Sequence, residues 1–156
     1  EKAMRNFLNF ALQDPGFARV PVMIDSSRWN VIEAGLKCVQ GKCLVHSISL
    51  KDGPEEFLRR AELARSYGAA VVVALYDERG RAADYERNVE AARRSWQLLR
   101  DSGFPAGDIV FEPAISAEHA PDFIRICAWI RDNCPGAQIM GGAGALSPEG
   151  ISSTRP

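Results

Sequence analysis

The stretch VPVMIDSSRWNVIEAGLKCVQGK, residues 20–42, decides the fold. Val20 to Ile24 is a compact apolar run with β-branched residues, the pattern of a strand buried on both faces. It ends at Asp25-Ser26-Ser27, small polar residues that suit a helix N-cap. Val31, Ile32, Leu36 and Val39 follow at helical spacing until Gly41. A buried strand followed directly by an amphipathic helix is the repeating unit of an α/β fold with a parallel sheet.

The same unit recurs along the chain. Upstream, Met4, Phe7, Leu8, Ala11 and Leu12 share one helical face, and Asp14-Pro15-Gly16 ends that helix. Downstream, Cys43 to Ile48 reads as a strand, and Pro54 with Glu55 and Glu56 opens a helix that Gly68 closes. Ala70 to Leu75 is a further strand; Asp84 then caps a helix with the stripe Tyr85, Val89, Ala92, Trp96 and Leu99, which ends at Ser102-Gly103. Ile109 to Phe111 begins a fourth strand. Pro121 opens a helix carrying Phe123, Ile124, Cys127 and Ile130, Pro135-Gly136 stops it, and Gln138 to Met140 begins a fifth strand.

Five strands alternating with helices predict a parallel sheet with right-handed crossovers. A unit takes roughly 30 residues, so a closed eight-unit barrel needs about 250, and this chain has 156. Two architectures fit that length, a five-stranded doubly wound domain of flavodoxin type or a piece of a (β/α)₈ barrel, and periodicity does not choose between them.

Composition bounds the function. With 46% hydrophobic and 25% charged residues the chain is an ordinary globular protein, and 19 Lys plus Arg against 20 Asp plus Glu lack the basic excess of a nucleic-acid binder. The N-terminus has no secretory pattern and no apolar run reaches membrane-spanning length, so a cytoplasmic protein without membrane partners is expected. Cys38, Cys43, Cys127 and Cys134 show neither redox-pair nor zinc spacing with His46 and His119; buried reduced thiols and no metal are expected.

In parallel α/β folds ligands bind at the carboxyl ends of the strands. Those positions carry Asp25-Ser26-Ser27, His46-Ser47, Asp77-Glu78, Glu112 and Gly141-Gly142, a convergence of acids, hydroxyls and a histidine suited to orienting a polar heterocycle. Plainer roles compete with this one. Asp25 also suits a helix cap, Asp77-Glu78 before Arg79-Gly80-Arg81 suits a solvated loop, and Arg93-Arg94 suits a solvated helix face. Gly141-Gly142-Ala143-Gly144 lacks the order of a dinucleotide-binding turn, and no nucleophile elbow is present.

Residues 21–42, together with Val45-His46-Ser47-Ile48-Ser49-Leu50-Lys51, Tyr67 to Val73, Gly103-Phe104-Pro105, Pro135-Gly136-Ala137 and Gly141-Gly142, resemble the pterin-binding domain of cobalamin-dependent methionine synthase. The resemblance implies a partial TIM (β/α)₈ barrel over residues 1–147, in which the five strands are the third to seventh of eight, followed by an unstructured tail at 148–156. It also implies a methyltransferase of one-carbon metabolism and methionine biosynthesis. Methyltetrahydrofolate would be the substrate and cobalamin would be carried by a separate domain. By resemblance Asp25, Ser26, His46, Ser47, Glu112, Gly141 and Gly142 bind the pterin, with His46 the catalytic candidate. The family's Val-Asn-Ser is Val45-His46-Ser47 here, its Asp-Pro-Asn is Glu112-Pro113-Ala114, and the Asn after its Gly-Gly pair is Ala145. These changes give two alternatives: a noncatalytic remnant or interaction module that has lost its ligand, and a dihydropteroate synthase-like enzyme on the same barrel.

Overall fold

A computed structural model describes residues 1–82, 84–113 and 120–141. The chain opens with helix α1 (Lys2–Ala11), followed by strand β1 (Val22–Asp25), helix α2 (Trp29–Leu36) and strand β2 (Cys43–Ile48). Helix α3 (Pro54–Ser66) leads to β3 (Ala70–Ala74), and the short strands β4 (Tyr76–Asp77) and β5 (Gly80–Arg81) form an antiparallel hairpin. Helix α4 (Tyr85–Asp101), β6 (Ile109–Glu112), α5 (Ala120–Asn133) and β7 (Gln138–Ile139) complete the order.

The main sheet has five strands in the order β1-β2-β3-β6-β7, every adjacent pair parallel. Spatial order follows chain order, which is how successive units of a (β/α)₈ barrel are laid down. A flavodoxin-type sheet would run 2-1-3-4-5. Among the described residues the sheet is open and does not close into a barrel, and its strand order settles the choice that periodicity left open.

Side chains alternate across the sheet. Ile24, Val45, Val71, Val73 and Phe111 join Ile32, Phe57, Ala61, Ala64, Leu99, Ile126 and Ile130 of the helices in one core. Met23, Leu44, Val72 and Val110 therefore alternate onto the opposite face, which in a barrel is the interior. Helix–strand turns use glycine where the chain must enter the left-handed region, as at Gly68 (φ +73°), just beyond α3, and Gly103 (φ +75°), just beyond α4.

Four expectations are corrected. Residues 20–24 are not buried on both faces: Val20, which precedes β1, is 60% exposed, and Met23 is 42% exposed on a strand that has one neighbour among the described residues. On α1 only Leu8 is buried and Phe7 is exposed, so the apolar stripe is wider than the contact it makes. On α5 Ile126, Ile130 and Cys134 face the core at intervals of four, while Ile124 points outward. The cysteines are free, but only Cys43 and Cys134 are buried; Cys38 and Cys127 are half-buried. Burial pushes the Cys134 thiol up to about 11. The expected tail at 148–156 lies outside the described residues.

Gly35 shows how closely α2 packs on β1. A Cβ there would sit 3.0 and 3.1 Å from the Ile24 side chain and 3.3 Å from Leu8, both fully buried. Gly35→Val gains only a few tenths of a kcal/mol in helix propensity against an overpacking cost of about 2 kcal/mol. Its urea-unfolding midpoint is expected to fall accordingly.

Candidate functional site at the carboxyl ends of the strands

Asp25 closes β1 and Glu112 closes β6, while His46 lies two residues before the end of β2. Register puts Asp25 level with His46 and with Val72 of β3, and Glu112 two residues further along β3. Asp25 pairs with His46 across β1 and β2, and Glu112 pairs with Ala74 of β3. Strand β3 lies between β2 and β6, and the methyl group of Ala74 leaves the imidazole room to reach across it. His46 Nδ1 lies 3.1 Å from Asp25 Oδ1, and Nε2 lies 3.2 Å from Glu112 Oε2.

Regular alternation would send His46 and Ser47 to opposite faces, yet both line the same cavity. The pairing with β3 slips here, stepping from His46 with Val72 to Ile48 with Val73, so Ser47 drops out of register and turns to the histidine's side. The peptide bond between His46 and Ser47 is cis.

Asp25 is not a helix cap. Its carboxylate turns to His46, while the Ser26 hydroxyl accepts from the Arg28 N–H at 3.2 Å, at the start of α2. The Asp25 side chain remains 72% exposed, so it can receive a further donor without losing a buried contact. His46 and Glu112 are half-buried. A neutral imidazole carries one N–H, so both contacts of His46 are hydrogen bonds only when both ring nitrogens donate. In that state the ring is a cation held between two anions.

The cavity over these residues is about 370 Å³, within the range for small-molecule sites. It is lined by Asp25, Ser26, Ser27, His46, Ser47 and, further along, by Ser49, Lys51, Asp52, Arg60, Ala74 and Tyr76. Of the residues singled out from sequence, Asp25, His46 and Glu112 come together, and Ser26 and Ser47 join them in the lining or beside it. Gly141 follows β7 at the opposite edge of the sheet from β1, and Gly142, Ala114, His119 and Ala145 lie outside the described residues. Among the described residues no group of three or more His, Cys, Asp or Glu could hold a metal ion. No helix among them is long and apolar enough to cross a membrane.

Sequence reasoning did not single out Arg60, and it quoted Lys51 without assigning it a role. Lys51 was readable, since it stands three residues beyond β2. Arg60 lies in the second turn of α3 and reaches the cavity only because α3 folds back beside β2.

The solvated-loop reading of Asp77 is overturned. Asp77 is 6% exposed and accepts from Arg87 Nη2 at 2.6 Å and Nε at 3.0 Å, and from the Arg79 backbone N–H at 2.8 Å. The Arg87 guanidinium, aided by Arg79, holds this carboxyl well below the usual carboxylate range. Glu78 pairs with Arg94 at 2.6 Å, which lowers its carboxyl to about 2. These residues lock the β4–β5 hairpin onto α4 and are structural. Arg93 and Arg94 are both ion-paired: Arg94 is half-buried against Glu78, and Arg93 is exposed, pairing at 2.7 Å with Glu90 and stacking 5.5 Å over Trp129.

An acid–histidine–acid bridge at the mouth of a parallel sheet, with hydroxyls beside it, suits a heterocycle rich in N–H donors. A sequence model of the family described as pterin binding enzyme matches residues 1–124 of the 156, and the chain belongs to that family.

Proposed function

We propose that the cavity binds methyltetrahydrofolate, and that the chain serves a cytoplasmic, cobalamin-dependent methyltransferase of methionine synthesis. The observation that carries this reading is the bridge of His46 between Asp25 and Glu112. A reduced pterin presents ring N–H and amino donors along one edge, and a carboxylate accepts without donating. Asp25, exposed and already at the level of His46, is the acceptor for that edge. Glu112 steadies the far side of the imidazole.

Methyl transfer breaks the bond between N5 and its methyl carbon, and the electron pair stays on nitrogen. An amine leaves poorly unless a proton arrives at that nitrogen. His46 carries that proton in this reading. When the pterin's N–H groups take over Asp25, Nδ1 is released from its carboxylate partner and can turn to N5. Ser47, brought to the same side by the register slip, is placed to orient the ring.

The cobalt of cob(I)alamin would supply the nucleophile. In this reading the corrinoid is carried on a separate domain.

The test is to mix the protein with methyltetrahydrofolate and cob(I)alamin and follow loss of the cobalt(I) absorbance. His46→Ala is expected to slow transfer about 100-fold, the usual worth of a general acid. Equal rates for the two proteins would remove His46 from the chemistry. Condensation of a dihydropterin diphosphate with p-aminobenzoate, with no methyl transfer, would replace this reading by a dihydropteroate synthase-like one.

A further inference from the structure

The cavity extends beyond the acid–histidine bridge to a second, differently charged end. There Ser49, Lys51, Asp52 and Arg60 line it. The two cations at this end are not equivalent. Arg60 is spoken for: it pairs with Asp52 at 3.0 Å and Glu56 at 2.6 Å, and its guanidinium lies 5.5 Å over the Trp29 ring. Lys51 has no acid within ion-pair distance of its ammonium among the described residues, whereas Lys37 and Lys42 are paired with Glu33 and Asp108.

The backbone that carries Lys51 is fixed although its side chain is exposed. The Ser49 hydroxyl accepts from the Lys51 N–H at 3.4 Å, opening a short 3-10 turn over Leu50–Asp52. Leu50 inside that turn is fully buried, and Asp52 is tied to α3 through Arg60. An uncommitted cation held on a pinned turn, at the far end of a cavity whose near end is acidic, is arranged for a ligand with N–H donors at one end and negative charge at the other.

We infer that Lys51 receives an anionic group on the side chain of the pterin, with the Ser49 hydroxyl beside it, and so favours pterins with charged tails over the bare ring. This rests on the pterin reading of the site. The anion could be the carboxylate of a folate's glutamate or the diphosphate of a pterin alcohol, and both would meet the same ammonium. Arg60 shapes this end and shields the turn, since its charge is already met by two carboxylates.

Calorimetric titration of the wild-type chain and of Lys51→Ala, each with methyltetrahydrofolate, 6-hydroxymethyldihydropterin diphosphate and tail-free tetrahydropterin, tests the inference. Lys51→Ala is expected to weaken the tailed ligand about fivefold, the worth of a solvent-facing ion pair, and to leave the tail-free affinity unchanged. Lys51→Arg should restore the loss. Which tailed ligand responds identifies the anion. Equal affinity of wild type and Lys51→Ala for both tailed ligands overturns the assignment of Lys51 while leaving the pterin site standing. If no pterin of any kind binds the wild-type chain, the reading of the site itself fails, and this inference with it.

Discussion

Asp25→Ala is expected to weaken methyltetrahydrofolate binding by about 10- to 100-fold, the cost of losing a hydrogen bond to a charged acceptor. The loss should appear without any change in thermal stability. Asp25 is 72% exposed in its side chain and contributes nothing to the core, so removing it leaves the fold as it was. His46 keeps its contact with Glu112 in that variant and stays in place. Asp25→Asn should fall between the two, because an amide oxygen accepts but carries no charge. Affinity and melting temperature measured side by side decide the point. An unaltered affinity in Asp25→Ala would mean that the pterin edge is held elsewhere.

The second large effect concerns stability. Asp77→Ala removes the acceptor for Arg87 and Arg79 and leaves the Arg87 guanidinium half-buried without its main partner. Breaking a buried pair from one side costs about 3 kcal/mol, which a urea-unfolding midpoint resolves easily. The pH dependence has a definite sign. A carboxyl held below its ordinary value stabilises the fold fully above the unfolded pKa of about 3.9, and that contribution is lost as pH falls toward the folded value. The wild-type chain therefore loses stability below about pH 4, and Asp77→Ala should show a shallower slope there. Glu56, lowered to about 2 by Arg59 and Arg60, and Glu78, lowered to about 2 by Arg94, act in the same direction. Both are more exposed than Asp77, so screening leaves them smaller shares.

Much of the architecture could be read from apolar runs and their punctuation. The five main strands and the helices between them follow from runs such as Ala70 to Leu75 and from caps such as Asp84, whose side chain accepts from the Arg87 N–H at 2.8 Å. Strand order was not legible, because periodicity records which faces are apolar and says nothing about neighbours. For the same reason the run Val20 to Ile24 read as buried, although among the described residues β1 has a partner on one side only. The β4–β5 hairpin escaped notice since two-residue strands carry no period. Asp77 looked like a surface acid because its partner Arg87 stands ten residues away, on the next helix.

At the site, the rule that ligands meet the carboxyl ends of parallel strands singled out Asp25, His46 and Glu112 from sequence; register sets Asp25 beside His46, and Glu112, two residues further along the sheet, meets the imidazole by side-chain reach. The slip that adds Ser47 to the same side has no sequence signature, since it depends on how β2 seats against β3. Lys51 was visible as a residue but not as a spare cation. That status emerges only from the structure, where no acid among the described residues lies within ion-pair distance of its ammonium.

The pocket over Asp25 and His46 is proposed as a reduced-pterin site. Titrating the purified chain with methyltetrahydrofolate in a calorimeter tests it without any mutation. Saturable one-to-one heat with a micromolar dissociation constant is predicted, and heat no greater than that of dilution at millimolar ligand would contradict it.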